Sequence, residues 1–254
     1  MTDTEPFVII EPAAGHVATL RLHRPPNNFF SVGLIEAIAD GLEDLDLDDD
    51  VRTVVLAAEG KHFCAGADFS GPSEDTTAQL YAAAARLFRT RKPIVAAIQG
   101  AAIGGGLGLA LAADFRIGAP EARMSANFAR LGFHQGFGLS VTLPRLVGQQ
   151  QAAELLYTGR RVNGDDAVSI GLLDRLVPLA ELEAATNAFA TEIAASAPLA
   201  VESIRSTLRA GLADEIVAAT DHEMAEQTRL RATADFAEGT RAMGARRAPD
   251  FRRR

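Results

Sequence analysis

Residues 17–22, VATLRL, alternate apolar and polar side chains, the period-two pattern of a strand with one buried face. The loop HRPPNNFF follows, punctuated by two prolines and two asparagines. Behind Ser31, the apolar positions Ile35, Ile38, Leu42 and Leu45 recur at helical spacing, which predicts a helix capped by that hydroxyl. The acidic run DLDLDDD is expected to be its solvated end. Residues 51–57 (VRTVVLA) read as a buried strand, and Leu80, Ala84, Leu87 and Phe88 as a second amphipathic helix that stops before Lys92-Pro93. Ile94–Ile98 predicts another short strand. GAAIGGG then reads as a loop opening an Ala/Leu helix over 107–113, followed by a strand at 115–117. Beyond Pro144 the pattern turns helical, over 152–156, 181–195, 198–212 and on to Ala237. Strands alternating with helices, then helices alone, predict an α/β core over 1–195 and a helical region over 196–254.

Composition narrows the setting. The 254 residues are 48% hydrophobic, enough for one large domain or one domain with an appendage. A net charge of −8 argues against a nucleic-acid binder or a partner of anionic membranes, both of which need a dominant basic face. The Arg-rich end, RRAPDFRRR, reads as a solvated tail. The single cysteine, Cys64, excludes an intrachain disulfide and fits a reducing compartment. The N-terminal residues lack the basic-then-apolar plan of a secretory signal. Residues 94–113 carry no charge and are about long enough to span a bilayer. Gln99 and five glycines make a buried strand–turn–helix the better reading. A cytoplasmic protein is expected.

Two glycine-bearing segments, CAGAD at 64–68 and IGGGLG at 103–108, each place an uncrowded backbone after a buried strand. The second opens a helix, where unpaired N–H groups and the helix dipole favour negative charge. Two such donors aimed at one oxygen form an oxyanion hole. A dinucleotide fingerprint would need an acid roughly 20 residues further on, whereas Asp114 comes too early. A helix-packing loop is the plain alternative.

With these motifs in view, the chain resembles the crotonase superfamily, the enoyl-CoA hydratase/isomerase family. The likeness runs through RP at 24–25, KHFCAGAD at 61–68, KPIVAAIQGAAIGGGLGLALAADFRIG at 92–118, LPRLVG at 143–148, TGRRVNGDDAVSIGLLDRLVP at 158–178 and the tail DFAEGTRAMGARRAPDF. The resemblance implies a ClpP-like spiral of ββα units with a C-terminal helical trimerisation region, built into a homotrimer or hexamer. It implies an acyl-CoA thioester as partner, with no cofactor beyond the coenzyme A of the substrate and no metal. It places the oxyanion donors on the backbone N–H groups of Ala67 and Gly105. Ala65, Asp68, Phe69, Phe128, Leu131 and Gly136 are then expected to line the substrate channel, although Asp68 reads equally as a loop cap.

The chain departs from the family's hydratase pattern at its acids. Hydration uses two glutamates, one to deprotonate water and one to protonate the α-carbon. The first slot holds Gly108 and the second Phe128; a third acid position of some members holds Gly136. This argues against ordinary hydration. His134 is the candidate replacement base. Tyr81 is expected to line the pocket, His62 and Cys64 to pack, and Gln135 to orient water at most. Two readings remain: an acyl-CoA enzyme such as a lyase or hydrolase using His134, and a non-catalytic acyl-CoA binder or assembly subunit. Restoring glutamate at 108 and 128 is expected to raise hydration if the pocket admits both.

Overall fold

Apolar residues on both sides of a strand require cover on both faces, and the order of elements supplies it. A computed structural model describes residues 6–68 and 76–254. The chain runs through β1 (Val8–Ala14), β2 (Val17–Leu22), α1 (Val32–Leu47), β3 (Thr53–Ala58), α2 (Thr77–Leu87), β4 (Ile94–Ile98), β5 (Ala101–Ile103) and α3 (Gly105–Ala112). It continues through β6 (Phe115–Gly118), β7 (Arg123–Ser125), a short 3₁₀ turn (Asn127–Leu131), α4 (Leu139–Val147), α5 (Gln149–Thr158), β8 (Val162–Asn163), α6 (Gly164–Ser169) and β9 (Arg175–Leu176). Four helices follow: α7 (Leu182–Ala194), α8 (Pro198–Leu208), α9 (Leu212–Arg231) and α10 (Ala234–Gly244).

The strands form two sheets, one of six in the order β1-β2-β3-β4-β6-β9 and one of three in the order β5-β7-β8. In the larger sheet only β1 is antiparallel to its neighbour. The pair β4–β5 gives one strand to each sheet before α3, and β6–β7 repeats the move, so the chain winds as a spiral of ββα turns. Alternation along the strands sorts two cores. Leu20, Leu56, Ala96 and Ile98 pack with Ile35, Ile38 and Leu107 on one face, while Val55, Ala57, Val95 and Ala97 meet Leu182, Ala190 and Ala194 of α7 on the other.

Several expectations change. Ser31 does cap α1, its hydroxyl accepting the Leu34 N–H at 3.2 Å. The acidic run beyond is more than a solvated end, because α1 extends to Leu47 and the Asp46 carboxylate accepts the N–H groups of Arg91 (2.8 Å) and Lys92 (3.1 Å). The GAAIGGG loop contains β5, a strand too short to show a period. The C-terminal tail is solvated, as expected, and is also held in place: the Asp235 carboxylate accepts the N–H groups of Arg252 and Arg253. The uncharged stretch 94–113 is divided among β4, β5 and α3, and no helix among the described residues is long and apolar enough to cross a membrane.

Two carboxylates tie the last helices to the core. Asp114 accepts the Ile94 N–H at 2.8 Å, both of its oxygens face Arg205 Nε at 3.0 and 2.9 Å, and Arg209 joins at 3.0 Å. Arg205 and Asp114 are 8% and 14% exposed, so removing one partner leaves the other charged and out of water. Glu223, fully buried on α9, accepts the N–H groups of Gly138 (2.9 Å) and Ser140 (3.0 Å) and the Ser140 hydroxyl (2.6 Å). It thereby caps α4 from another helix. Burial raises the Glu223 carboxyl above its ordinary value, against the pull of those donors.

Asp114→Ala is expected to lower unfolding free energy by about 3–5 kcal/mol in urea denaturation. For Glu223, the folded carboxyl holds its proton more tightly than the unfolded one. Its stabilisation is therefore fullest below the ordinary carboxylate value and falls as pH rises through the folded value. Stability measured against pH should show the difference between wild type and Glu223→Gln shrinking in that direction; a pH-independent difference would contradict it.

Candidate active site

Cys64, just beyond β3, forms a parallel bridge with Ala102 of β5. Its N–H donates to the Ala101 carbonyl at 2.9 Å, and its carbonyl accepts the Ile103 N–H at 3.0 Å. This pairing lays the two glycine loops side by side. Each then turns through a left-handed residue, Gly66 at φ +91° and Gly104 at φ +57°, a region that side chains disfavour. A Cβ at Gly106 would stand 2.3 Å from the Cys64 carbonyl, so the approach itself requires glycine.

Phe30 joins the same two loops. Its N–H donates to the Gly66 carbonyl at 2.9 Å, it bridges Ala67, and its ring lies 2.7 Å from where a Cβ on Gly105 would be. Gly105 is the first residue of α3, where an N–H has no partner within the helix. Among the described residues neither the Ala67 nor the Gly105 N–H has a hydrogen-bond partner. Ala67 is exposed and Gly105 half-buried. Asn28 braces the approach to these loops from a left-handed position (φ +47°). Its amide donates to the Glu59 and His62 carbonyls, both at 2.8 Å, and its oxygen accepts the Arg24 N–H at 2.9 Å.

The three positions lacking acids are filled by other side chains. A Cβ on Gly108 would lie 2.6 Å from the Phe137 ring and 2.8 Å from its Cβ. Phe137 is itself buried, in a left-handed conformation (φ +60°), and meets Phe30 edge-on at 5.0 Å. Glutamate at 108 therefore requires Phe137 to move, so the condition set on restoring hydration, that the pocket admit both acids, is not met while Phe137 keeps this place. A Cβ on Gly136 would fall 2.0 Å from the Tyr81 hydroxyl and 2.6 Å from the Gln227 amide. That hydroxyl donates to Gln227 Oε1 at 3.0 Å, and the Gln227 amide donates to the His134 carbonyl at 3.0 Å. Burial pushes the Tyr81 phenol far above its ordinary range, so it stays a neutral hydrogen-bonding group. Phe128 is half-buried, its ring 3.7 Å from a Cβ built on Gly104.

The other candidates disperse. His134 is half-buried, its Nδ1 bonded to the Gln135 carbonyl at 2.8 Å and its ring set edge-on to His222 of α9 at 5.8 Å. Gln135 donates to the Ser140 hydroxyl at 3.1 Å. Cys64 is buried, and burial pushes its thiol up to about 12, too high for a nucleophile. His62 accepts the Ala101 N–H at 3.2 Å. Ala65 donates to the Asn27 carbonyl at 2.9 Å, and Leu131 is buried against Gly239 of α10. Asp68 is exposed beside Ala67, and Phe69 lies outside the described residues.

Sequence reading passed over Asn28, Phe30, Phe137, Glu223 and Gln227. A signal existed for α9: Ile216, Thr220, Glu223 and Gln227 share one buried stripe, and two large polar residues on such a stripe need partners.

The enoyl-CoA hydratase/isomerase family model matches residues 13–254. A Mycobacterium tuberculosis protein named "Probable enoyl-CoA hydratase" is 34% identical over 270 residues, covering 98% of this chain and 93% of that one. A Bacillus subtilis protein of the same description is 31% identical, covering 93% and 95%. The crystal structure of an enoyl-CoA hydratase/isomerase from Pseudoalteromonas atlantica superposes with a TM-score of 0.85 at 30% identity, covering 97% of this chain and all of that one. The α/β spiral is the crotonase fold, and the chain belongs to the enoyl-CoA hydratase/isomerase family.

Proposed function

We propose that the protein binds an acyl-CoA thioester and draws negative charge onto the thioester oxygen with the N–H groups of Ala67 and Gly105. One observation carries the reading: two loops bonded edge to edge present two donors that have no partner among the described residues, one of them at the positive end of α3. Each such donor is worth about 2.7–4 kcal/mol to an oxyanion. The family membership and the names of the relatives support an acyl-CoA ligand.

The filled slots favour polarisation without hydration. Hydration needs two proton-transfer groups, whereas Phe137, Phe128 and the Tyr81–Gln227 pair occupy those places. Loss of CO2 from a 2-carboxyacyl thioester breaks the bond from the α-carbon to the carboxylate and leaves its electron pair as the enolate with no base from the protein. A proton from water then completes the product, so a decarboxylating lyase suits the site better than hydration. The His134 ring, turned to His222, lends no support to a base at that residue. Leu199, Ile204 and Leu208, exposed on α8 at 79%, 60% and 79%, support an oligomer assembled through the helical region from residue 196. A cytoplasmic location fits a coenzyme A thioester ligand.

Calorimetry with butyryl-CoA and with S-butyl-CoA, the thioether lacking the carbonyl, tests the donors. The thioester is expected to bind at least about tenfold more tightly, as two hydrogen bonds require; equal affinities would reject the oxyanion pair. Crotonyl-CoA hydration is expected at the uncatalysed rate for wild type and for Gly108→Glu with Phe128→Glu. Adding Phe137→Gly, which clears the slot and suits the left-handed backbone, should raise it above both in a spectrophotometric assay.

A further inference from the structure

A cleft of about 570 Å³ opens on the α7 face of the six-stranded sheet. The thioester site is elsewhere: Phe30, Phe137 and Leu107 belong to the core on the opposite face. The floor of the cleft is apolar, formed by Val55 and Ala57 of β3, Ala97 of β4 and Leu182 of α7. Its volume falls within the roughly 300–1,000 Å³ of small-molecule sites.

The rim is cationic on a chain that is acidic overall. Arg21, Lys61 and Arg123 all line it. Arg21 is committed to Glu11 at 2.6 Å and Glu183 at 3.0 Å. Among the described residues the Lys61 ammonium has no hydrogen-bond or ion-pair partner, and the Arg123 guanidinium bonds only to the Glu121 carbonyl, at 2.7 Å. Both cations act on the His62 ring between them, which burial and their charge hold below its ordinary value. His62 accepts the Ala101 N–H through Nδ1, which leaves its proton on Nε2 as a further donor. Two unneutralised cations at one rim, over an apolar floor, select a negative head with an apolar body. Glu121 and Glu183 on the same rim oppose a second negative charge, and with it a phosphate dianion or coenzyme A.

We propose that this cleft is a second binding site, separate from the thioester site, for a small amphiphilic monoanion. Its ligand class is a carboxylate on a short alkyl chain, the head at Lys61 and Arg123 and the chain over Val55, Ala57 and Ala97. The cleft is walled by Gly60–His62 and Gln99–Ala101, the segments that lead into the two glycine loops.

Titration calorimetry on the full chain with hexanoate, hexanol and inorganic phosphate decides the matter. Hexanoate is expected to saturate the protein and to bind at least tenfold more tightly than hexanol or phosphate. Lys61→Glu with Arg123→Glu, both at the rim, should weaken hexanoate at least tenfold and leave hexanol within twofold. Ala97→Leu, which fills the floor, should weaken both, while butyryl-CoA affinity stays within twofold in every variant. Equal binding of hexanoate and hexanol overturns the proposal, as does hexanoate binding indifferent to charge reversal or phosphate binding tighter than hexanoate. No saturable hexanoate binding, as when another copy of the chain covers the cleft, overturns it too.

Discussion

Everything at the candidate site depends on the short backbone pairing between Cys64 and β5. Two hydrogen bonds across a parallel bridge bring together segments nearly forty residues apart. Without them the donors of Ala67 and Gly105 would belong to separate loops with no common target. The pairing in turn needs glycine: a methyl at 106 would strike the Cys64 carbonyl, and the positive φ angles at 66 and 104 disfavour a side chain. Preorganisation of this kind is what lets peptide N–H groups act on a developing charge without being rearranged first.

Around that fixed pair the pocket wall is aromatic and amide-lined instead of acidic. Phe30 touches both glycine loops and meets Phe137 edge-on, so one ring contact links those loops to the segment before α4. Glu223 holds that segment from behind, through three hydrogen bonds and out of water. This buried carboxyl therefore serves geometry: its hydrogen bonds are spent on capping α4.

Much of the fold was legible from sequence, and the physical reasons for the exceptions are specific. β2, α1 and β4 have enough residues to display a period, and Ser31 stands where a cap should stand. β5, β7, β8 and β9 have two or three residues each, too few for alternation, and exist because the preceding turns of the spiral offer them an edge. At the site, the glycine loops and the three absent acids could be read directly. Tyr81 could be placed in the pocket wall, but the arrival of Phe137 and Gln227 in those slots could not be read, because they come from segments distant from it in the chain. Gly108 looked like an empty slot; only packing shows that it is occupied by its neighbour's ring.

The contact between Gly108 and Phe137 also imposes an order on change. A side chain at 108 and a large ring at 137 exclude one another, so neither position is free to vary while the other holds its bulk. Any stepwise route between an acid-bearing pocket and this one must pass through a chain small at both positions, with a cavity beside the donors. The two residues behave as a ratchet: once the ring has closed over the glycine, the acid cannot return first.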